Sequence, residues 1–125
     1  LKQAVLDYLA RDGILNSLDL RTGARRDFLT RFRDVILRPR GLDYRVQFTG
    51  PTGTNAVEAA LKLARKATGR TTVAAFTNAF HGMSLGALAV TGNGRARENS
   101  KALLGGVVRL PFDGYEGAGI EALER

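Results

Sequence analysis

The stretch Tyr44-Arg45-Val46-Gln47-Phe48-Thr49-Gly50-Pro51-Thr52-Gly53-Thr54-Asn55-Ala56-Val57-Glu58-Ala59-Ala60-Leu61-Lys62-Leu63-Ala64-Arg65-Lys66 decides the fold. Tyr44 to Phe48 is a short strand candidate, rich in β-branched and aromatic residues. Gly50 to Thr54 is turn chemistry. A helix is expected from about Asn55, with Val57, Ala60, Leu61 and Ala64 on one face and Lys62, Arg65 and Lys66 mostly on the other. Asn55 followed three residues later by Glu58 has the form of a capping box. The cations of the last turn suit the negative end of the helix dipole, and Gly69 is a natural stop.

Downstream, Thr71 to Phe76 reads as a buried strand and Ser84 to Val90 as a helix of small residues. Gly92-Asn93-Gly94 is a turn, Val107 to Leu110 another strand, and Ala118 to Glu124 the start of a helix. Strands and helices thus alternate after residue 43, the mark of an α/β unit with a mainly parallel sheet. Upstream, apolar residues at 1, 4, 5, 8 and 9 predict a first helix, with Asp12-Gly13 as its stop. Thr22 is placed to cap a second, in which Ala24, Phe28, Phe32 and Ile36 recur every four residues. That helix is expected to end before Pro39, whose ring disfavours a helical Arg38. The domain reading is a helical lead-in over 1–43 and an α/β segment over 44–125.

The whole is 125 residues, 44% hydrophobic and 25% charged, which fits one globular domain rather than a disordered chain. No apolar run approaches the ~20 residues of a membrane span, and Leu1-Lys2-Gln3 does not open a signal peptide. The first residue is not Met, as expected of an internal fragment. Without cysteine there is neither disulfide nor thiolate metal site, and the lone His81 cannot build a histidine metal cluster. A cytoplasmic, metal-free protein without membrane or nucleic-acid partners is expected. The charge invites a different reading: 19 basic against 12 acidic residues give +7, the footprint of an anionic partner. The arginines are dispersed among acids, however, and no nucleic-acid-binding motif accompanies them.

Two segments can carry chemistry. Gly50-Pro51-Thr52-Gly53-Thr54-Asn55 lies between a strand and a helix N-terminus, where free N–H groups and the helix dipole favour an anion. It lacks the lysine of a nucleotide P-loop and the spacing of the dinucleotide fingerprint, so a small phosphate monoester fits it better. Phe80-His81-Gly82 follows the next strand, at the sheet edge where α/β folds bind ligands. An aromatic ring beside an imidazole can cover one face of a planar heterocycle. Taken singly, the first is also an ordinary strand-to-helix turn and the second ordinary packing; together they are what a flat, phosphorylated cofactor needs.

These residues resemble the class III, pyridoxal-phosphate-dependent aminotransferases. Thr52 to Arg65, Gly69-Arg70 and Phe80-His81-Gly82 carry the likeness. Gly50 to Ala60, Phe76-Thr77-Asn78, Thr91-Gly92-Asn93 and Pro111-Phe112-Asp113-Gly114-Tyr115 extend it to the diaminobutyrate–2-oxoglutarate transaminases within that class, including those of ectoine synthesis. The resemblance implies that 44–125 is the incomplete first half of the large domain of a fold-type I transferase. It implies pyridoxal 5'-phosphate as cofactor, with Gly53 and Thr54 on its phosphate, Phe80 stacked on its ring, and His81 and Gly82 shaping that loop. It implies a small amino donor and a 2-oxo acid as substrates, and a homo-oligomer, dimer or higher, at full length. Asn55 stands where an acid is usual. Phe80 stands where Tyr is commoner, which keeps the stacking face and drops the hydroxyl.

The family's Schiff-base lysine and the acid at its pyridine nitrogen lie downstream, so no catalytic residue is assigned here and the 125 residues alone are expected to be inactive. Sister enzymes acting on ornithine, acetylornithine or 4-aminobutyrate stay open as alternatives. So do a non-catalytic α/β module that binds a phosphate ligand and a basic fragment that binds nucleic acid.

Overall fold

The computed structural model describes residues 1–16 and 20–115. They fall into two compact units, Leu1–Gln47 and Phe48–Arg125. The helix expected over Ala118 to Glu124 lies outside the described residues.

In the first unit, helix α1 spans Lys2–Ala10 and helix α2 spans Gly23–Phe32. Thr22 caps α2 as its residue type predicts, its hydroxyl accepting from the Arg25 N–H at 3.1 Å. Phe28 and Phe32, one turn apart, stack with centroids 5.8 Å apart. Contrary to expectation, the chain stays helical into the proline. A π turn over Arg33–Leu37 leads into a 3-10 turn over Arg38–Arg40, and Arg38 has φ −56° and ψ −48°. A proline removes one donor and crowds the carbonyl four residues back, and a local change of helical pitch there accommodates both without an abrupt stop. Tyr44 to Phe48 forms no strand. A strand exists only through a ladder with a neighbour, and the two described strands pair with each other.

In the second unit, helix α3 spans Gly53–Thr68, strand β1 Val73–Phe76, helix α4 Leu85–Val90, the short helix α5 Gly94–Arg97, and strand β2 Val107–Leu110. β1 and β2 are parallel, in the register Val73↔Val107 to Phe76↔Leu110. From α3 onward this is the predicted α/β alternation with parallel pairing, without the expected strand before α3 and with α5 as an addition. α4 packs on α3 and on β1. Its Ala87, Leu88, Ala89 and Val90, with Ala75 of β1, form the core of this unit, the small side chains allowing helix and sheet to approach closely. Arg109 of β2 donates to the carbonyls of Ala89 and, at 3.0 Å, Val90, which the end of α4 leaves without intrahelical partners. Of the face expected on α3, Val57 and Leu61 are half-buried, but Ala60 and Ala64 are exposed. Gly92-Asn93-Gly94 is more than a turn: Asn93 caps α5, accepting from the Ala96 N–H at 3.2 Å, and a 3-10 stretch over Glu98–Leu103 follows.

Candidate functional site

The N-terminus of α3 begins two residues earlier than its sequence suggests. Thr52, not Asn55, is the cap: its hydroxyl oxygen accepts from the Asn55 N–H at 3.2 Å and donates to the Asn55 side-chain oxygen at 2.6 Å. Asn55 is therefore the third residue of the helix, and the capping box imagined between Asn55 and Glu58 does not form. Both are cap-type residues three positions apart, so local pattern alone could not choose between them. Gly53 and Thr54 are thus the first two helical residues. Their N–H groups have no acceptor within the helix. No acidic side chain sits in the first turn to offset the dipole, and a side chain added at Gly53 would meet open space.

The loop leaving the C-terminal end of β1 runs back to this point. The hydroxyl and Cβ of Thr54 lie directly against Gly82: a Cβ built on Gly82 would overlap the hydroxyl and come within 2.8 Å of the Thr54 Cβ. Gly82 also has φ +130°, a region nearly closed to other residues. Two sequence-predicted segments thus meet through Thr54 and Gly82. Phe80, two residues earlier, is 66% exposed, so it is not a core residue. His81 is half-buried and Gly82 buried.

Thr91, Gly92 and Glu58, to which the sequence gives no such role, hold this loop and the start of the helix after it. Thr91, fully buried, accepts from the His81 N–H at 3.0 Å, and its hydroxyl is 3.1 Å from the Gly82 carbonyl and 2.9 Å from that of Ala87. Its bond back to Ala87 is a local habit of threonine at helix positions and had a sequence signal; the contacts to residues 81 and 82 had none. Gly92 donates to the Ala79 carbonyl at 2.6 Å. Its α-carbon is pressed against the Thr77 carbonyl, so glycine serves close approach here rather than a turn. Glu58, on α3, reaches α4: it accepts from the Ser84 hydroxyl and, at 3.0 Å, from the Ala87 N–H. The Ser84 hydroxyl, helped by the Ala87 N–H, holds the Glu58 carboxyl below its ordinary range. At the sheet edge itself, Thr77 accepts from the Phe112 N–H at 3.0 Å, and Phe76 and Phe112 meet edge to face.

Some of the arginines that look dispersed along the sequence come together in the first unit. Arg21, Arg25, Arg26, Arg33 and Arg45, with Asp43, line an open cleft of about 880 Å³. Among the described residues no group of His, Cys, Asp and Glu could hold a metal ion, and no helix is long and apolar enough to cross a membrane.

Comparison with known proteins bears on the same residues. The family model Aminotransferase class-III matches residues 23–124. A diaminobutyrate–2-oxoglutarate transaminase of Vibrio cholerae is 58% identical over 98% of this chain, and one of Nocardia farcinica 60% identical over 92%. One of Halomonas elongata is 54% identical over 99%. The chain spans 29%, 26% and 30% of the length of these three curated relatives. The matched region contains both the α3 N-terminus and the loop that meets it, and this chain belongs to the class III aminotransferases.

Proposed function

We propose that the protein is a pyridoxal-phosphate-dependent transaminase exchanging an amino group between L-2,4-diaminobutyrate and 2-oxoglutarate, giving L-aspartate 4-semialdehyde and L-glutamate. The names of its relatives supply the substrates. The observation that supports the site is the meeting of Thr54, at the α3 N-terminus, with Gly82, two residues after the exposed Phe80.

The residues fit such a cofactor. In this reading the N–H groups of Gly53 and Thr54 and the Thr54 hydroxyl bind phosphate oxygens, aided by an uncompensated helix dipole. Phe80 covers one face of the ring, and stacking needs the exposed ring found there. His81 and Gly82 set the course of that loop, Gly82 by admitting the Thr54 hydroxyl. When bound, pyridoxal phosphate supplies an electron sink for the carbon that gains or loses the amino group. None of Lys2, Lys62, Lys66 and Lys101 is given a covalent role. Lys62 and Lys66 lie more than ~10 Å along α3 from its phosphate end, and the 125 residues alone are proposed to be inactive. Residues 1–43 are read as a helical lead-in and 44–125 as the first part of the cofactor-binding large domain. The full-length protein is read as a cytoplasmic homo-oligomer, dimer or higher.

The test is substrate preference of the full-length enzyme. 2,4-Diaminobutyrate with 2-oxoglutarate is expected to give the highest kcat/KM. A clear preference for ornithine, acetylornithine or 4-aminobutyrate would move it to a sister branch, and an absence of transamination with all of them would end the reading.

A further inference from the structure

We infer that Thr91 is a positioning residue for the cofactor: its buried hydroxyl fixes the loop that carries Phe80, His81 and Gly82 in the place where that loop meets Thr54. The inference rests on the cofactor reading above and adds to it a residue that touches neither phosphate nor ring.

The geometry is that of a clasp. Thr91 follows the last residue of α4, a helix whose four C-terminal residues are all buried. The position of its hydroxyl is therefore set by the core and not by solvent. That oxygen accepts the His81 N–H at 3.0 Å. Its single proton has two acceptors in reach, the Gly82 carbonyl at 3.1 Å and the Ala87 carbonyl at 2.9 Å. Ala87 already receives the Thr91 N–H at 3.0 Å, so the bond to Gly82 is the one that adds a new constraint. One hydroxyl thus ties two peptide units of the loop, the one that precedes His81 and the one that follows Gly82. Gly92 adds a third tie through Ala79. The other end of α4 is fixed to α3 by Glu58 through Ser84 and Ala87. The helix that offers the phosphate site and the loop that offers the ring are therefore joined through α4, with Thr91 at the point of transfer. A valine in its place would keep the volume, but it would leave the His81 N–H without its acceptor.

The experiment uses full-length protein, freed of cofactor and titrated with pyridoxal phosphate, as wild type, Thr91→Val and Thr91→Ser. Amide exchange of residues 80–83 is followed in the same cofactor-free samples. Thr91→Val should bind pyridoxal phosphate at least about tenfold more weakly and exchange the His81 amide at least about tenfold faster, with α3 unaffected. Thr91→Ser, which keeps the hydroxyl, should restore both to within about threefold of wild type. Wild-type affinity and exchange in Thr91→Val would overturn the inference. So would a Thr91→Ser variant as damaged as Thr91→Val, because the methyl group and not the hydroxyl would then matter. If Thr91→Val does not fold, the wild type decides: an unprotected His81 amide overturns the clasp, whereas a protected one with a well-binding Thr91→Ser supports it. A wild-type protein that takes up no pyridoxal phosphate would refute the cofactor reading itself, and exchange would still report whether Thr91 holds the loop.

Discussion

The hydroxyl of Thr54 occupies the space where residue 82 would carry a Cβ, and residue 82 is glycine with φ +130°. Either fact alone would favour glycine there, and together they make the position intolerant. Gly82→Ala in the full-length protein should be destabilised by about 1–3 kcal/mol and should bind pyridoxal phosphate more weakly than wild type, because the loop must withdraw from Thr54. Thermal unfolding and cofactor titration measure the two effects. A variant that is normal in both would mean that the loop is free to move away without consequence.

Thr54→Ala probes the other side of the contact. It removes a hydroxyl but leaves the backbone N–H groups of α3. Affinity for pyridoxal phosphate should fall by about 1.5–3 kcal/mol, the worth of one charge-assisted hydrogen bond. Unchanged affinity would remove Thr54 from the phosphate site.

Phe80→Leu should leave the unfolding temperature close to wild type, since a residue 66% exposed contributes little to the core. It should nevertheless loosen the cofactor and shift its absorption band, because bulk remains while the π-face is lost. A cofactor-bound structure with the Phe80 ring turned away from the pyridine would contradict this.

Glu58 makes stability depend on pH. Its folded pKa lies below the ordinary value of 4.5, chiefly because of the Ser84 hydroxyl bond. A carboxylate lowered in this way stabilises the fold fully above its unfolded pKa, and that contribution is lost as pH falls through the folded value. Glu58→Gln should therefore be less stable than wild type at about pH 6, and the gap should narrow at about pH 4. Denaturant unfolding at the two pH values checks it; a gap that is constant or widens toward acid would show that the charge of Glu58 has no part in holding α4.

What the sequence made legible follows from the range of each interaction. α1, α2, α3, β1, α4 and β2 are visible because periodicity, caps and Gly69 act within a few residues. Tyr44 to Phe48 misleads for the opposite reason. Its composition suits a strand, but strand formation is decided by a neighbour that composition does not specify. The start of α3 is misread because Glu58, three after Asn55, mimics a local cap while serving Ser84 and Ala87 at the start of α4. In the candidate site, Gly53, Thr54, Phe80, His81 and Gly82 stand out as motifs. Thr91 and Gly92 enter only through the Thr91-Gly92-Asn93 likeness, and their hold on the loop is not legible, since their partners lie about ten residues upstream and arrive only through the path of the fold. The arginine cleft is hidden likewise, because residues from 21 to 45 converge on it only in three dimensions.

The parallel pairing of β1 with β2 has a consequence for the order of assembly. Parallel neighbours cannot close as a hairpin, and here roughly thirty residues of chain intervene before β2 can find β1. A polypeptide growing from its N-terminus presents Thr54, Phe80, His81 and Gly82 well before Arg109. Yet Arg109 is the side chain that holds the end of α4, the helix that leads into Thr91. Local helices can appear early, on the timescale of helix formation, while the clasp waits for a long-range closure. The end of α4, and with it the setting of Thr91, is thereby completed only once the second strand has docked.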